Sequence, residues 1–149
     1  MKRLKDDELV VGDDQAFYYK GEPFTGITYD TRPDGSLWSE EAYVRGSKHG
    51  LARTLYPNGQ LQRQTQYKMG LAHGWKEEWY PDGHIKHRTL YDLAIPIEEQ
   101  EFDREGNLIR ESKIDPNSDK YRRLVEKRKD EERRLERIFA RYGRPTEEN

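Results

Sequence analysis

Through most of the chain apolar and polar positions alternate in short runs, and each run closes on a glycine-bearing turn; this period of two predicts β-strands rather than helices. The alternation is itself periodic. Tyr43-Val44-Arg45-Gly46-Ser47-Lys48-His49-Gly50, followed by Tyr56-Pro57-Asn58-Gly59, returns 24 residues later as Tyr67-Lys68-Met69-Gly70-Leu71-Ala72-His73-Gly74, followed by Tyr80-Pro81-Asp82-Gly83. Looser copies flank these two: Tyr18-Tyr19-Lys20-Gly21, Gly26 and Pro33-Asp34-Gly35 upstream, and Tyr91, Phe102 and Glu105-Gly106-Asn107-Leu108 downstream. About four units, degraded at both ends, are what a stacked array with capping ends requires. In Pro-Asn-Gly and Pro-Asp-Gly, proline presets φ and the next two residues tolerate the left-handed backbone of a tight turn, so these are hairpin tips.

Aligning the units by their period predicts the faces of the sheet. Ile27, Leu51 and Trp75 fall in one column, Thr31, Leu55 and Trp79 four residues on, and Leu37, Leu61, Ile85 and Leu108 after each Pro-x-Gly turn. Tyr43, Tyr67 and Tyr91 follow six residues later, and an unbroken period of two assigns them to the same apolar face. The opposite face reads Thr28, Ala52, Lys76, then Asp30, Thr54, Glu78, then Trp38, Gln62, Lys86. Two strands per unit at about 4.8 Å spacing make a ribbon about 35 to 40 Å long.

After Ile114 the texture changes to long charged runs. Asp115-Pro116 or Asn117-Ser118 supplies a helix start, and Gly143 followed by Pro145 a stop. The predicted helix, 117–142, is roughly 39 Å long. Its apolar residues cluster at two ends, Tyr121, Leu124 and Val125, then Leu135, Ile138, Phe139 and Tyr142, with a mixed-charge middle able to form i,i+4 pairs. The fold expected is mainly β with a C-terminal α-helix: an elongated, twisted antiparallel β-meander of about four 24-residue hairpin repeats. Its parts are a lead-in over 1–14, the repeat domain over 15–113, and a charged helix with a short tail over 114–149.

The pattern Tyr-x-x-Gly-x-x-His-Gly, five residues, Tyr-Pro-(Asn/Asp)-Gly-x-(Leu/Ile) resembles the bacterial variant of the MORN repeat, and Tyr19-Lys20-Gly21-Glu22-Pro23-Phe24-Thr25-Gly26 resembles its opening unit. The resemblance covers about residues 15–113 and implies hairpins stacked into a curved sheet. It also implies a binding function, since bacterial proteins of this kind include antitoxins and immunity proteins that neutralise a cognate toxin by direct contact.

Composition narrows the chemistry. With 32% hydrophobic against 38% charged residues, one sheet with a single covered face is what the chain can support. Cysteine is absent, excluding disulfides and thiol chemistry. No apolar signal segment follows Met1-Lys2-Arg3 and no run reaches transmembrane length, so a cytoplasmic protein is expected. The net charge of −2 hides a division: residues 117–142 hold ten Lys or Arg against six Asp or Glu, leaving 17 against 23 elsewhere. That acidic remainder suits a basic partner, a basic toxin domain above all, and disfavours nucleic acid and anionic membranes.

No catalytic, cofactor or metal site is expected. His49 and His73 are equivalent repeat positions, His84 and His87 lack zinc-site spacing, and no phosphate loop or nucleophile elbow occurs. Glu77-Glu78 and Glu98-Glu99-Gln100-Glu101 read as solvated strand positions. The chain thus reads as a binder rather than an enzyme. Its candidate partner contacts are Trp38, Glu40, Arg88, the acidic run Glu98, Glu99 and Glu101, and the aromatics Tyr56, Tyr80, Phe139 and Tyr142. The alternative is a homo-oligomeric scaffold, with dimerisation through the C-terminal helix.

Overall fold

The computed structural model describes residues 2–144. It divides into a β unit ending at Lys113 and a helical unit beginning at Ile114. The β unit opens with β1 (Arg3–Lys5), a single 3₁₀ turn (Asp6–Glu8), β2 (Val10–Val11), β3 (Phe17–Tyr19) and β4 (Glu22–Pro23). The repeats follow as β5 (Gly26–Thr31), β6 (Leu37–Val44), β7 (Ser47–Leu55), β8 (Leu61–Lys68), β9 (Leu71–Trp79), β10 (Ile85–Asp92), β11 (Ile95–Phe102) and β12 (Leu108–Lys113). Strands β5 to β12 form an antiparallel meander in chain order, and β1 adds to β5 in parallel, giving nine strands; β2, β3 and β4 form a small second sheet. The meander expected from the repeat is therefore present.

Two kinds of turn alternate along the sheet. Arg45-Gly46, Met69-Gly70 and Leu93-Ala94 each have positive φ at both positions, the two-residue turn whose twist matches that of the paired strands. At the other end, Asp34, Asn58 and Asp82 accept hydrogen bonds from the backbone N–H two residues on, at 2.9 to 3.0 Å, as turn-forming Asx side chains do.

The units are joined by bonds displaced along the repeat. The first turn N–H of one unit donates to a side chain of the unit before: Arg45 to Thr25 Oγ1 at 2.9 Å, Met69 to His49 Nδ1 and Leu93 to His73 Nδ1, both at 3.1 Å. The second N–H donates to a carbonyl: Gly46 to Phe24, Gly70 to Lys48, Ala94 to Ala72. At the Pro-x-Gly end, the Tyr56 hydroxyl donates to the Trp79 carbonyl at 2.6 Å and Tyr80 to that of Phe102 at 3.0 Å, while Arg32 reaches the Leu55 carbonyl. The repeated histidines are thus joint acceptors, which requires Nδ1 to be unprotonated in each.

One expectation about the faces fails. Tyr43, Tyr67 and Tyr91 lie opposite Gly26, Gly50 and Gly74, on the face that carries Thr28, Thr65 and Thr89, not with Leu51 and Trp75. The cause is a bulge after each Pro-x-Gly turn. Thr31 pairs with Leu37 but Asp30 with Ser39, so Trp38 is skipped, as are Gln62, Lys86 and Ile109 in later units. One inserted residue reverses the parity of everything downstream on that strand.

Nor is the leucine–tryptophan face the buried one. Thr28 and Thr89 are 1% exposed on the tyrosine face, whereas Leu51 is 45% exposed. The densest packing is aromatic: Phe24 and Tyr43 are buried, and the Tyr43 ring centroid lies 5.1 Å from that of Phe17 and 5.9 Å from that of Phe24.

The helix, α1 (Asp119–Tyr142), starts where Ser118 accepts the Tyr121 N–H and ends at Gly143. Charged pairs along it include Arg133 with Asp130 at 3.1 Å and Arg134 with Glu131 at 3.3 Å, both spaced i,i+3. The proposed stop at Pro145 lies outside the described residues.

Two substitutions test the turns and joints. Ala94 holds φ +67° where the other units carry glycine, so Ala94→Gly should raise unfolding stability by about 0.5 to 1 kcal/mol in urea titration. His73→Ala, which leaves the Leu93 N–H without its acceptor, should lower it by about 1 kcal/mol in the same assay.

Candidate functional site

A concavity lies on the tyrosine face of the β unit. It encloses about 410 Å³, and its walls include Glu41, Lys48, Arg63, Tyr67, Lys76 and Tyr91 around a floor of small side chains, Ala52 and Thr65. The floor follows from the register: Thr28, Glu41, Ala52, Thr65, Lys76 and Thr89 are directly cross-strand neighbours. Small residues there leave the taller flanking columns as walls. A second depression of about 270 Å³ shares Glu41, Thr54 and Arg63 with the first and adds Asp30, Trp38 and Ser39. Together they form one groove from Trp38 to Tyr91.

Charge in the main cavity is one-sided. Lys48, Arg63 and Lys76 face it against one carboxylate, Glu41; Arg53 contributes to its rim but its guanidinium is bonded to Glu40 on the other face. Lys48 pairs with Glu41 at 3.1 Å and Lys76 reaches Glu78 at a loose 3.8 Å. Arg63 makes no ion pair among the described residues and is exposed, standing where both depressions and a third, of about 80 Å³, meet. Tyrosines line one end. Burial, then Glu99 nearby, raises the Tyr91 hydroxyl pKa; burial, then the hydrogen bond to Glu41 at 2.7 Å, does the same at Tyr43.

The sequence candidates are dispersed. Trp38 is 48% exposed at the end of the groove. Glu40 lies on the other face as an ion-pair centre, 2.5 Å from Arg3 and bonded to Arg53. Arg88, also on that face, places its guanidinium 3.7 Å from the Trp75 ring centroid, and its buried Nε has no hydrogen-bond partner. Tyr56 and Tyr80 spend their hydroxyls on the joints between units. Strand alternation divides the acidic run: Glu99 and Glu101 share the groove's face, opposite Ser112 and Arg110, while Glu98 opposes Lys113 on the other. In the helical unit, Arg144 lies over the Phe139 ring at 5.0 Å, and Tyr142 is 74% exposed.

Arg63, Lys48 and Lys76 were not singled out by sequence. No pattern within a strand marks them; pairing skips Trp38, Gln62 and Lys86 and so moves the tyrosines to the groove's face. Among the described residues no cluster of His, Asp or Glu could hold a metal ion.

Residues 48–69 match the MORN repeat variant. The matched segment spans β7, the Pro57-Asn58-Gly59 turn and β8, one full hairpin of the periodic sheet, which supports reading the chain as a MORN-variant repeat protein. No curated protein and no solved structure matches the chain.

Glu40 provides a test in pH. Burial, the largest influence, raises its pKa, but the bonds and charges of Arg53 and Arg3 together outweigh it and hold the carboxyl below its ordinary 4.5. A depressed folded value means the stabilisation is complete above pH 4.5 and disappears as pH falls through the folded value. Urea titrations at stepped pH should therefore show wild type more stable than Glu40→Gln near neutrality, with the difference closing in acid.

Proposed function

We propose that the chain is a protein-binding module that neutralises a bacterial toxin by direct contact, as an antitoxin or immunity protein, in the cytoplasm. Repeats of the matched kind are protein- or membrane-binding modules. The observation that carries the reading is the groove itself: a concave surface with an exposed tryptophan at its end and an arginine lacking an ion pair at its middle. Trp and Arg are the residue types that most often dominate interface energetics. Binding by occlusion needs positioned surface rather than an acid, a base or a cofactor, and the role proposed is not enzymatic. The acidic excess of the rest of the chain favours a toxin that is basic overall.

A second reading has one observation in its favour. β12 pairs on one side only, and its Leu108 and Ile109 are 48% and 58% exposed, an open edge of the kind that recruits another strand. Homo-oligomeric assembly through this edge would appear as concentration-dependent sedimentation of the purified chain.

Co-expression separates the readings. The neighbouring open reading frame, expressed alone, should arrest growth, and this chain should restore it; an innocuous neighbour, or arrest that persists, rejects the toxin-neutralising role.

A further inference from the structure

We infer that the groove on the tyrosine face is a docking site for a short acidic segment of the protein partner, read by Arg63 and Lys76 with Lys48 in support. The inference rests on the protein-binding reading and adds the chemistry of what enters. Three cations, Lys48, Arg63 and Lys76, face the main cavity against Glu41, while Arg53 is turned to Glu40 on the other face; in a chain whose net charge is −2, the local sign opposes the global one. A concave wall of one sign concentrates counter-charge, and Arg63, exposed and without an ion pair among the described residues, has its guanidinium fork available for bidentate carboxylate recognition.

Length sets the size of the occupant. From Trp38 on β6 to Tyr91 on β10 the groove crosses four inter-strand spacings, about 19 Å, which an extended segment of about six residues covers. Trp38 at one end and Tyr67 and Tyr91 at the other give apolar surface to the flanks of such a segment, while the small floor of Ala52 and Thr65 admits it. A partner that is basic overall is compatible with this, because complementarity is set patch by patch.

Titration of fluorescein-labelled decaglutamate with the full chain, followed by anisotropy, tests the inference without needing the native partner. Binding should saturate at low salt and weaken as salt rises. Arg63→Glu and Lys76→Glu should each weaken it by about tenfold, Arg63→Gln by less, and Lys20→Glu, in a turn outside the groove, should have no effect. Glu41→Gln should tighten it, since it removes a carboxylate from the groove and releases Lys48. Circular dichroism of each variant confirms that the sheet is intact. Failure to bind decaglutamate, equal binding of decalysine, or an equal loss in Lys20→Glu overturns the inference. Sedimentation with phosphatidylserine vesicles that depends on Arg63, without decaglutamate binding, overturns it in favour of a lipid surface. None of these results decides toxin neutralisation, which the co-expression experiment decides separately.

Discussion

The structure depends on the joint between one repeat and the next. A sheet in a chain with 32% hydrophobic residues has little core to hold it; among the described residues of the β unit the buried apolar and polar side chains are Phe24, Thr28, Tyr43, Thr65, Thr89, Leu93 and Ile95. Order comes from hydrogen bonds that tie each turn to the preceding unit. Thr25, His49 and His73 accept one turn N–H, and the carbonyls of Phe24, Lys48 and Ala72 accept the next. Each such bond is worth only about 1 kcal/mol. Because they recur at both ends of every hairpin, they fix the stagger between neighbours, and the cross-strand columns inherit that stagger.

The groove is a consequence of the stagger and the bulge together. The inserted residue at Trp38, Gln62 and Lys86 turns the tyrosine column onto the threonine face, giving walls of aromatic and cationic side chains above a floor of Ala and Thr. Without the bulge the tyrosines would join Leu51 and Trp75 on the other face, and the threonine face would have no wall.

Much of this was legible in the residues. The 24-residue spacing fixed the meander and the turn positions, and Ser118 with Gly143 fixed the helix ends, because turns and caps depend on local chemistry. The face of Tyr43 was not legible, since a bulge is a mismatch between two strands and leaves no mark on either one read alone. The groove was hidden for a related reason. Its cations come from β7, β8 and β9, and the net charge of the chain averages them away. His49 and His73 were correctly read as parts of the repeat, but the role of their Nδ1 atoms as hydrogen-bond acceptors needed the neighbouring turn in place.

The displaced joints also constrain how such a chain can change length. Donor and acceptor of the turn joints stand 20 residues apart for the first N–H and 22 for the second, and the tyrosine links to Trp79 and Phe102 span 23 and 22. A duplication or deletion of one whole period carries both halves of every joint and leaves the series intact. A single residue is absorbed at the Pro-x-Gly end, as the Tyr80 link shows beside the longer Tyr56 link, whereas the turn joints keep one spacing throughout. Growth of the groove therefore goes by whole units: it can be lengthened in evolution or by design in steps of one hairpin pair, each adding its own rung of wall and floor.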